Sequence, residues 1–447
     1  MPTGPDAFRR RNGLGYPLRR VSNLAILGRG IWVLAALTTA AVAAGQPVAQ
    51  VSDPGNAVPV EGRPGLIRVG TFYLTPYVHV GNIGLDTNVF YTPYDRHTDI
   101  MASGGPGLEV VRPFGKTSRF RLDGGLDYLY YLRTPSLRRW NGYGSGSLEL
   151  EGVRTRFAIE ERYAQTYSRP NYQVNARLQQ ETEGTRAFLR RTLGERFSLA
   201  LFGERSRVRV ESLDYLGTDL QQTMDEDRDE AGGELRIALS VKTKFVAGGE
   251  QTWHRFPYLP GRNGRAPLAY GGFRTDETAL IAGSALAGVR WFMGDSGGSR
   301  NTFYADVDAA RHFSPKTELG GRFTRDLAYS AFATSGPSPT IVQQMAEVYV
   351  DKVLVSHIYL RVFGGIGSFT SDGAVTLVLP GQGPQTQVRN DNFREAGAEV
   401  GYQFRPRVRA GVNARYTTRT STFDTFGVQG LLFGFTLTYN PPQPQFR

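Results

Sequence analysis

Residues 119–132 decide the fold: Arg119-Phe120-Arg121-Leu122-Asp123-Gly124-Gly125-Leu126-Asp127-Tyr128-Leu129-Tyr130-Tyr131-Leu132. Phe120, Leu122, Leu126, Tyr128, Tyr130 and Leu132 share one parity, while Arg119, Arg121, Asp123 and Asp127 share the other. Side chains alternate across a strand, so this segment has one greasy face and one charged face. The split recurs at 408–416, where Val408, Ala410, Val412, Ala414 and Tyr416 oppose Arg409, Asn413 and Arg415. It returns with Ala396, Ala398, Val400, Tyr402 and Phe404 against Glu395, Glu399 and Gln403, and with Leu235, Ile237 and Leu239 against Glu234 and Arg236.

A soluble sandwich also alternates, but its strands turn the apolar side into a shared core. Here the apolar faces run for about ten residues and charges stand at mid-strand on the other side, the pattern of a barrel with lipid outside and water inside. Composition agrees. The 447 residues include Gly 54, Tyr 22 and Phe 26 and no cysteine, and mean hydropathy is -0.33. A disulfide scaffold is excluded. So is a bundle of membrane helices, each of which needs about 20 consecutive apolar residues, whereas a barrel strand needs only about 9 to 11 with one apolar face. The reading is an all-β transmembrane, antiparallel, up-and-down β-barrel in a bacterial outer membrane.

The chain opens with Arg9, Arg10, Arg11, Arg19 and Arg20, then the apolar run Ile31-Trp32-Val33-Leu34-Ala35-Ala36-Leu37 and the small-residue pattern Ala41-Val42-Ala43. That order is a secretory signal peptide, which places residues 1–44 as the signal, 45–69 as a short periplasmic segment, 70–440 as the barrel and 441–447 as a periplasmic tail. The net charge of +11 is carried almost wholly by arginine, the lysines being Lys116, Lys242, Lys244, Lys316 and Lys352. Such a balance suits anionic lipid or an acidic polymer. Nucleic acid is disfavoured, because no basic helix, zinc spacing or RNA-recognition signature is present.

Tight turns read at 113–117, 152–155, 192–195, 241–243, 283–285, 314–316, 351–353 and 405–407 give about 18 strands, or 16 if residues 276–292 are one strand. Short turns of such barrels are periplasmic, so the longer segments 168–182, 211–229, 256–275 and 370–392 should face outward. At the end of the chain Leu431, Phe433, Phe435, Leu437 and Tyr439 alternate with Leu432, Gly434, Thr436 and Thr438. Gly434, Leu437 and Tyr439 resemble the last-strand signal read by barrel-insertion machinery.

The segment Asn82-Ile83-Gly84-Leu85-Asp86-Thr87-Asn88-Val89-Phe90, with the turns Lys116-Thr117, Lys242-Thr243 and Lys316-Thr317, resembles the outer-membrane family called beta-barrel porin type two. The resemblance covers about residues 66–440. It implies a barrel of about 18 strands and, in some relatives, an outlet for a secreted exopolysaccharide beside a periplasmic polysaccharide-export partner. It supplies no catalytic residues. Asp86 to Asn88 reads equally well as a turn held by side-chain hydrogen bonds.

Candidate chemistry is sparse, and no catalytic, cofactor or metal residue is assigned. His79, His97, His254, His312 and His357 are scattered without metal-ligand spacing. The acidic run 225–230, Asp225-Glu226-Asp227-Arg228-Asp229-Glu230, lacks the glycine and spacing of a calcium loop and is read as a solvated face or a bridge to lipopolysaccharide. The charged parity is more telling. Arg121, Asp123, Asp127, Glu234, Arg236, Asp306, Asp308, Glu318, Arg322, Glu395, Glu399, Arg409, Asn413 and Arg415 are expected to line a lumen, since a lipid-facing arginine at mid-membrane costs about 2 to 4 kcal/mol. Tyr131, on that parity, is expected to offer a flat surface to sugar rings. The function read from this is a non-enzymatic conduit for a secreted polysaccharide, in contact with outer-membrane lipid and lipopolysaccharide. A general diffusion porin for small solutes, and an outer-membrane enzyme or structural barrel, stay open as alternatives.

Overall fold

A computed structural model describes residues 67–439 apart from 116, 277–278, 315, 333, 335–337, 356, 380, 382 and 406. The signal peptide, its cleavage region and the C-terminal tail lie outside the described residues. The strands that form the wall are β1 (Phe72–Asp86), β2 (Asp99–Phe114), β3 (Ser118–Tyr131), β4 (Arg139–Glu151), β5 (Thr155–Ser168), β6 (Leu178–Thr192), β7 (Phe197–Val210), β8 (Glu226–Ala238) and β9 (Thr243–Arg255). They continue as β10 (Gly264–Thr275), β11 (Ile281–Gly294), β12 (Ser299–Ser314), β13 (Thr317–Tyr329), β14 (Thr340–Val355), β15 (Ile358–Leu379), β16 (Gly383–Arg405), β17 (Val408–Ser421) and β18 (Val428–Tyr439). Each pairs antiparallel with its successor, and β18 pairs back onto β1 through Val78↔Tyr439, Val80↔Leu437 and Gly84↔Gly434. The result is a closed 18-stranded barrel, which leaves no open edge.

The two faces of the wall differ sharply. Leu235 on β8 is 40% exposed while its neighbours Glu234 and Arg236 are 3% and 4% exposed. Leu199, Leu201, Phe273, Phe303, Val348, Val362, Val400, Val412 and Phe433 likewise point out of the wall. A water-soluble protein would not present so continuous an apolar surface, whereas in a membrane only helices and closed barrels satisfy every backbone group. The chain is therefore an integral membrane barrel of the bacterial outer-membrane type. β1 contains one irregularity: its register shifts at Asn82, whose φ is 51, and the outward parity changes from Val78 to Ile83 and Leu85.

Several boundaries differ from the sequence reading. Gly283 and Ala285 are not a turn but lie inside β11, which begins at Ile281, while β10 ends at Thr275. The glycine is needed because φ is +135 and a Cβ there would lie 1.9 Å from the Asp308 carbonyl oxygen of β12, so it marks a close backbone approach. The turn expected at 351–353 comes after Val355, because β14 continues across a register shift between Val353 and Val355. Residues 370–392 are not a loop: β15 and β16 run on past the wall as a hairpin, after an irregularity between Thr370 and Ala374. Of the other long segments, only 169–177, 211–225 and 256–263 lie outside the wall strands. The connections 87–98 and 330–339 are further long ones at the same end.

Candidate functional site

The inner face is built of ion pairs spread around the wall. Glu234 accepts hydrogen bonds from Arg236 Nη2 at 2.6 Å, Arg274 Nη2 at 2.7 Å and the Tyr270 hydroxyl at 2.8 Å. Asp123 accepts from the Tyr77 hydroxyl at 2.9 Å and from Arg121 at 3.5 Å, while Arg121 Nε meets Glu109 at 2.8 Å. His79 Nε2 lies 3.2 Å from Asp127. Arg415 Nε donates to Glu395 at 2.9 Å, Arg409 Nη2 donates to Glu399 at 2.9 Å, and Arg409 Nε reaches the Tyr359 hydroxyl at 2.6 Å. Arg322 Nε donates to Asp308 at 3.0 Å, and Asp306 is two residues from Asp308 on the same face of β12. Glu318 takes the Tyr349 hydroxyl and His312 Nδ1, both at 3.0 Å. Asn413 reaches Asn82 at 3.5 Å.

These residues therefore meet in local pairs rather than at one centre. Sequence reading missed one that bridges three strands: Arg290 of β11 donates to Asp326 of β13 at 2.7 Å and to Glu250 of β9 at 3.1 Å.

The acidic run is only in part a solvated face. Asp225 ends its loop and accepts from the Val210 amide at 2.8 Å, and Glu226 meets His254 at 2.5 Å. Asp227 and Asp229 point outward from β8 and pair with Arg207, Arg209, Arg205 and Arg255. Tyr131 offers no free ring: it is 0% exposed, enclosed with Val89, Met101, Leu129 and Leu137. Asn88 donates its amide to Asp86 Oδ1 at 3.0 Å, and its side chain ties Thr92 and the Gln429 carbonyl, so that segment is a turn lock.

The feature with the greatest consequence is the connection 169–177. Its residues Tyr172, Gln173, Val174 and Asn175 are all buried. It leaves the wall between β5 and β6 and reaches elements on the far side of the ladder. Tyr172 stacks on Phe369 and packs against Phe393, Gln173 Nε2 donates to the Tyr329 carbonyl at 3.1 Å, and the Ala331 amide donates to Gln173 Oε1 at 2.9 Å. Arg389 Nη2 donates to the Gln173 carbonyl at 3.0 Å, and Arg419 donates to the Tyr172 carbonyl and Asn175. Both arginines are held by the buried Asp391. At its end Arg177 bonds the Val89 carbonyl at 3.1 Å and Asp86 at 3.3 Å. The connection is thus a strap across the bore.

Over the strap, Val174, Leu178, Val210, Leu220, Phe332, Val375, Leu377, Phe423 and Phe426 form one apolar cluster drawn from five different connections and strand ends. Burial pushes the Tyr172 hydroxyl up to about 12 and the Arg262 guanidinium, beneath Ser330, down to about 10. Sequence reading placed 168–182 only as an outward-facing segment and gave no sign of the strap, because the far-wall residues that hold Tyr172 and Gln173 lie 156 or more positions away in the chain.

No protein-family model matches the chain, and no curated protein sequence does. The porin type two likeness therefore stays a resemblance of short motifs. Among solved structures, the siderophore receptor PirA from Acinetobacter baumannii is similar at TM-score 0.40 and 8% identity, over 83% of this chain and 81% of that one. The copper transporter OprC gives 0.42 and 10%, over 80% and 63%, and a bacterial polysaccharide outer membrane secretin gives 0.33 and 9%, over 82% and 98%. Likenesses this distant assign neither family nor cargo, and the barrel stands on its own strand ladder.

Proposed function

We propose that the protein is a passive, non-enzymatic conduit through the outer membrane, with an acidic exopolysaccharide as its cargo. The observation that carries this is the inner face, where Arg121, Arg236, Arg322, Arg409 and Arg415 are each fixed by carboxylates of the wall. An 18-stranded barrel is too wide for such side chains to fill, so its interior holds water. Fixed charges of mixed sign hold an anionic chain weakly at many points, which is what passage needs, because one tight site would stop it. The motif resemblance to beta-barrel porin type two, and with it a periplasmic export partner, agrees with this reading.

The strap favours a second reading, a diffusion porin for small solutes, since a polymer passes only if residues 169–177 swing aside. Deleting the gene from the parent bacterium separates the two. Loss of surface polysaccharide supports export, whereas normal polysaccharide with slowed uptake of small anionic solutes transfers the reading to the porin.

A further inference from the structure

The strap begins at Arg169, directly after β5, and this arginine differs from its neighbours in having no anion. Arg177 has Asp86, Arg389 and Arg419 have Asp391, and Arg415 has Glu395. Arg169 is 4% exposed, its Nε is enclosed without an acceptor, and among the described residues no carboxylate lies within ion-pair reach of it. Its guanidinium instead lies against two rings, 4.7 Å from the Tyr91 centroid and 5.2 Å from that of Tyr172. Tyr91 is held in place by an uncommon backbone, φ 56, in the connection that follows β1. Burial lowers the pKa of Arg169, and the positive charges of Arg177 and of Arg415, an inner-face residue of β17, push it the same way.

A buried guanidinium without a counter-ion is costly, and ring faces offset only part of that cost. Neighbouring arginines whose own carboxylates are already engaged raise the local potential without neutralising it. The matching partner for a planar fork of N–H donors is a carboxylate or phosphate.

We infer that Arg169, at the root of the strap between Tyr91 and Tyr172, is a binding site for an oxyanion, a carboxylate or phosphate carried by the solute. The inference deepens the conduit reading, on which it rests for the solute's access to the strap. The site selects acids over neutral solutes where the strap crosses the bore, while the paired inner-face charges do not discriminate so strongly. Held by one guanidinium, the anion is released readily, which is compatible with transit.

The test is calorimetric titration of the full-length protein in detergent with galacturonate, inorganic phosphate and galactose, using wild type, Arg169→Gln and Arg169→Lys. Galacturonate and galactose differ in the carboxylate alone. Binding of galacturonate or phosphate but not galactose, weakened about ten-fold or more in Arg169→Gln and partly restored in Arg169→Lys, supports the site, that loss being expected for one charge-assisted hydrogen bond. Which of the two acids binds identifies the oxyanion. Equal binding of galactose, no binding of either acid, or affinity unchanged in Arg169→Gln overturns it. Heat-modifiable mobility of both variants checks that the barrel has formed, and Arg169→Lys serves if Arg169→Gln does not fold. Conductance of the same preparations is independent: absence of current sinks the conduit reading and leaves the titration standing.

Discussion

At the scale of the residue, the inner wall is an arrangement of shared charges, and this changes what a substitution does. Reversing Arg409 and Arg415 to Glu looks from sequence like a simple change of lumen charge. In the fold it would set a new carboxylate against Glu399 and another against Glu395, whose side chain is almost wholly enclosed. Neutral replacements are the cleaner probe. Arg409→Gln with Arg415→Gln is expected to leave the barrel inserted and to shift ion selectivity toward cations, read as a change in reversal potential across a planar bilayer under a salt gradient. Removing one partner from a fully buried ion pair costs about 3 to 5 kcal/mol, and less here because Arg409 and Arg415 are both partly exposed. An unchanged reversal potential in the inserted variant would detach these two arginines from selectivity. Asp391 is the counter-case: it is 0% exposed and holds both Arg389 and Arg419. Asp391→Asn is expected to loosen the strap more than the wall, seen as faster proteolysis within 169–177 while the strands stay resistant.

At the scale of the element, the strands were legible because their pattern has period two and a charge on the wrong face is penalised by lipid. Parity in 119–132, 395–404 and 408–416 needed no tertiary information. Turns were less legible, since glycine serves both a turn and a close crossing of strands. Gly283 belongs to the second class, so Gly283→Val is expected to destabilise the barrel by about 2 to 5 kcal/mol, combining a forced positive φ with an overpacked crossing. Heat-modifiable gel mobility checks this: a variant as resistant as wild type would restore the turn reading of 283–285. The hairpin of β15 and β16 was hidden for a related reason. Gly373, at φ 102, interrupts the alternation just where the strands continue beyond the wall.

At the scale of the whole molecule, the wall and the strap differ in how much of them a sequence can reveal. The wall is made by neighbours in chain order, each strand pairing with the next, so local pattern suffices except for the closure of β18 on β1. The strap is made by Arg389, Arg419 and Tyr329 meeting Tyr172 and Gln173, and nothing local in 169–177 announces those partners. The outer-membrane conduit was thus readable in advance, while the element that narrows it was not. Single-channel recording in planar bilayers, comparing wild type with a variant whose residues 169–177 are replaced by a short Gly-Ser linker, tests the central claim of a water-filled barrel crossed by a strap. Both proteins should insert, wild type giving a small conductance and the strapless variant one several-fold larger; two correctly inserted proteins that pass no current would contradict the account.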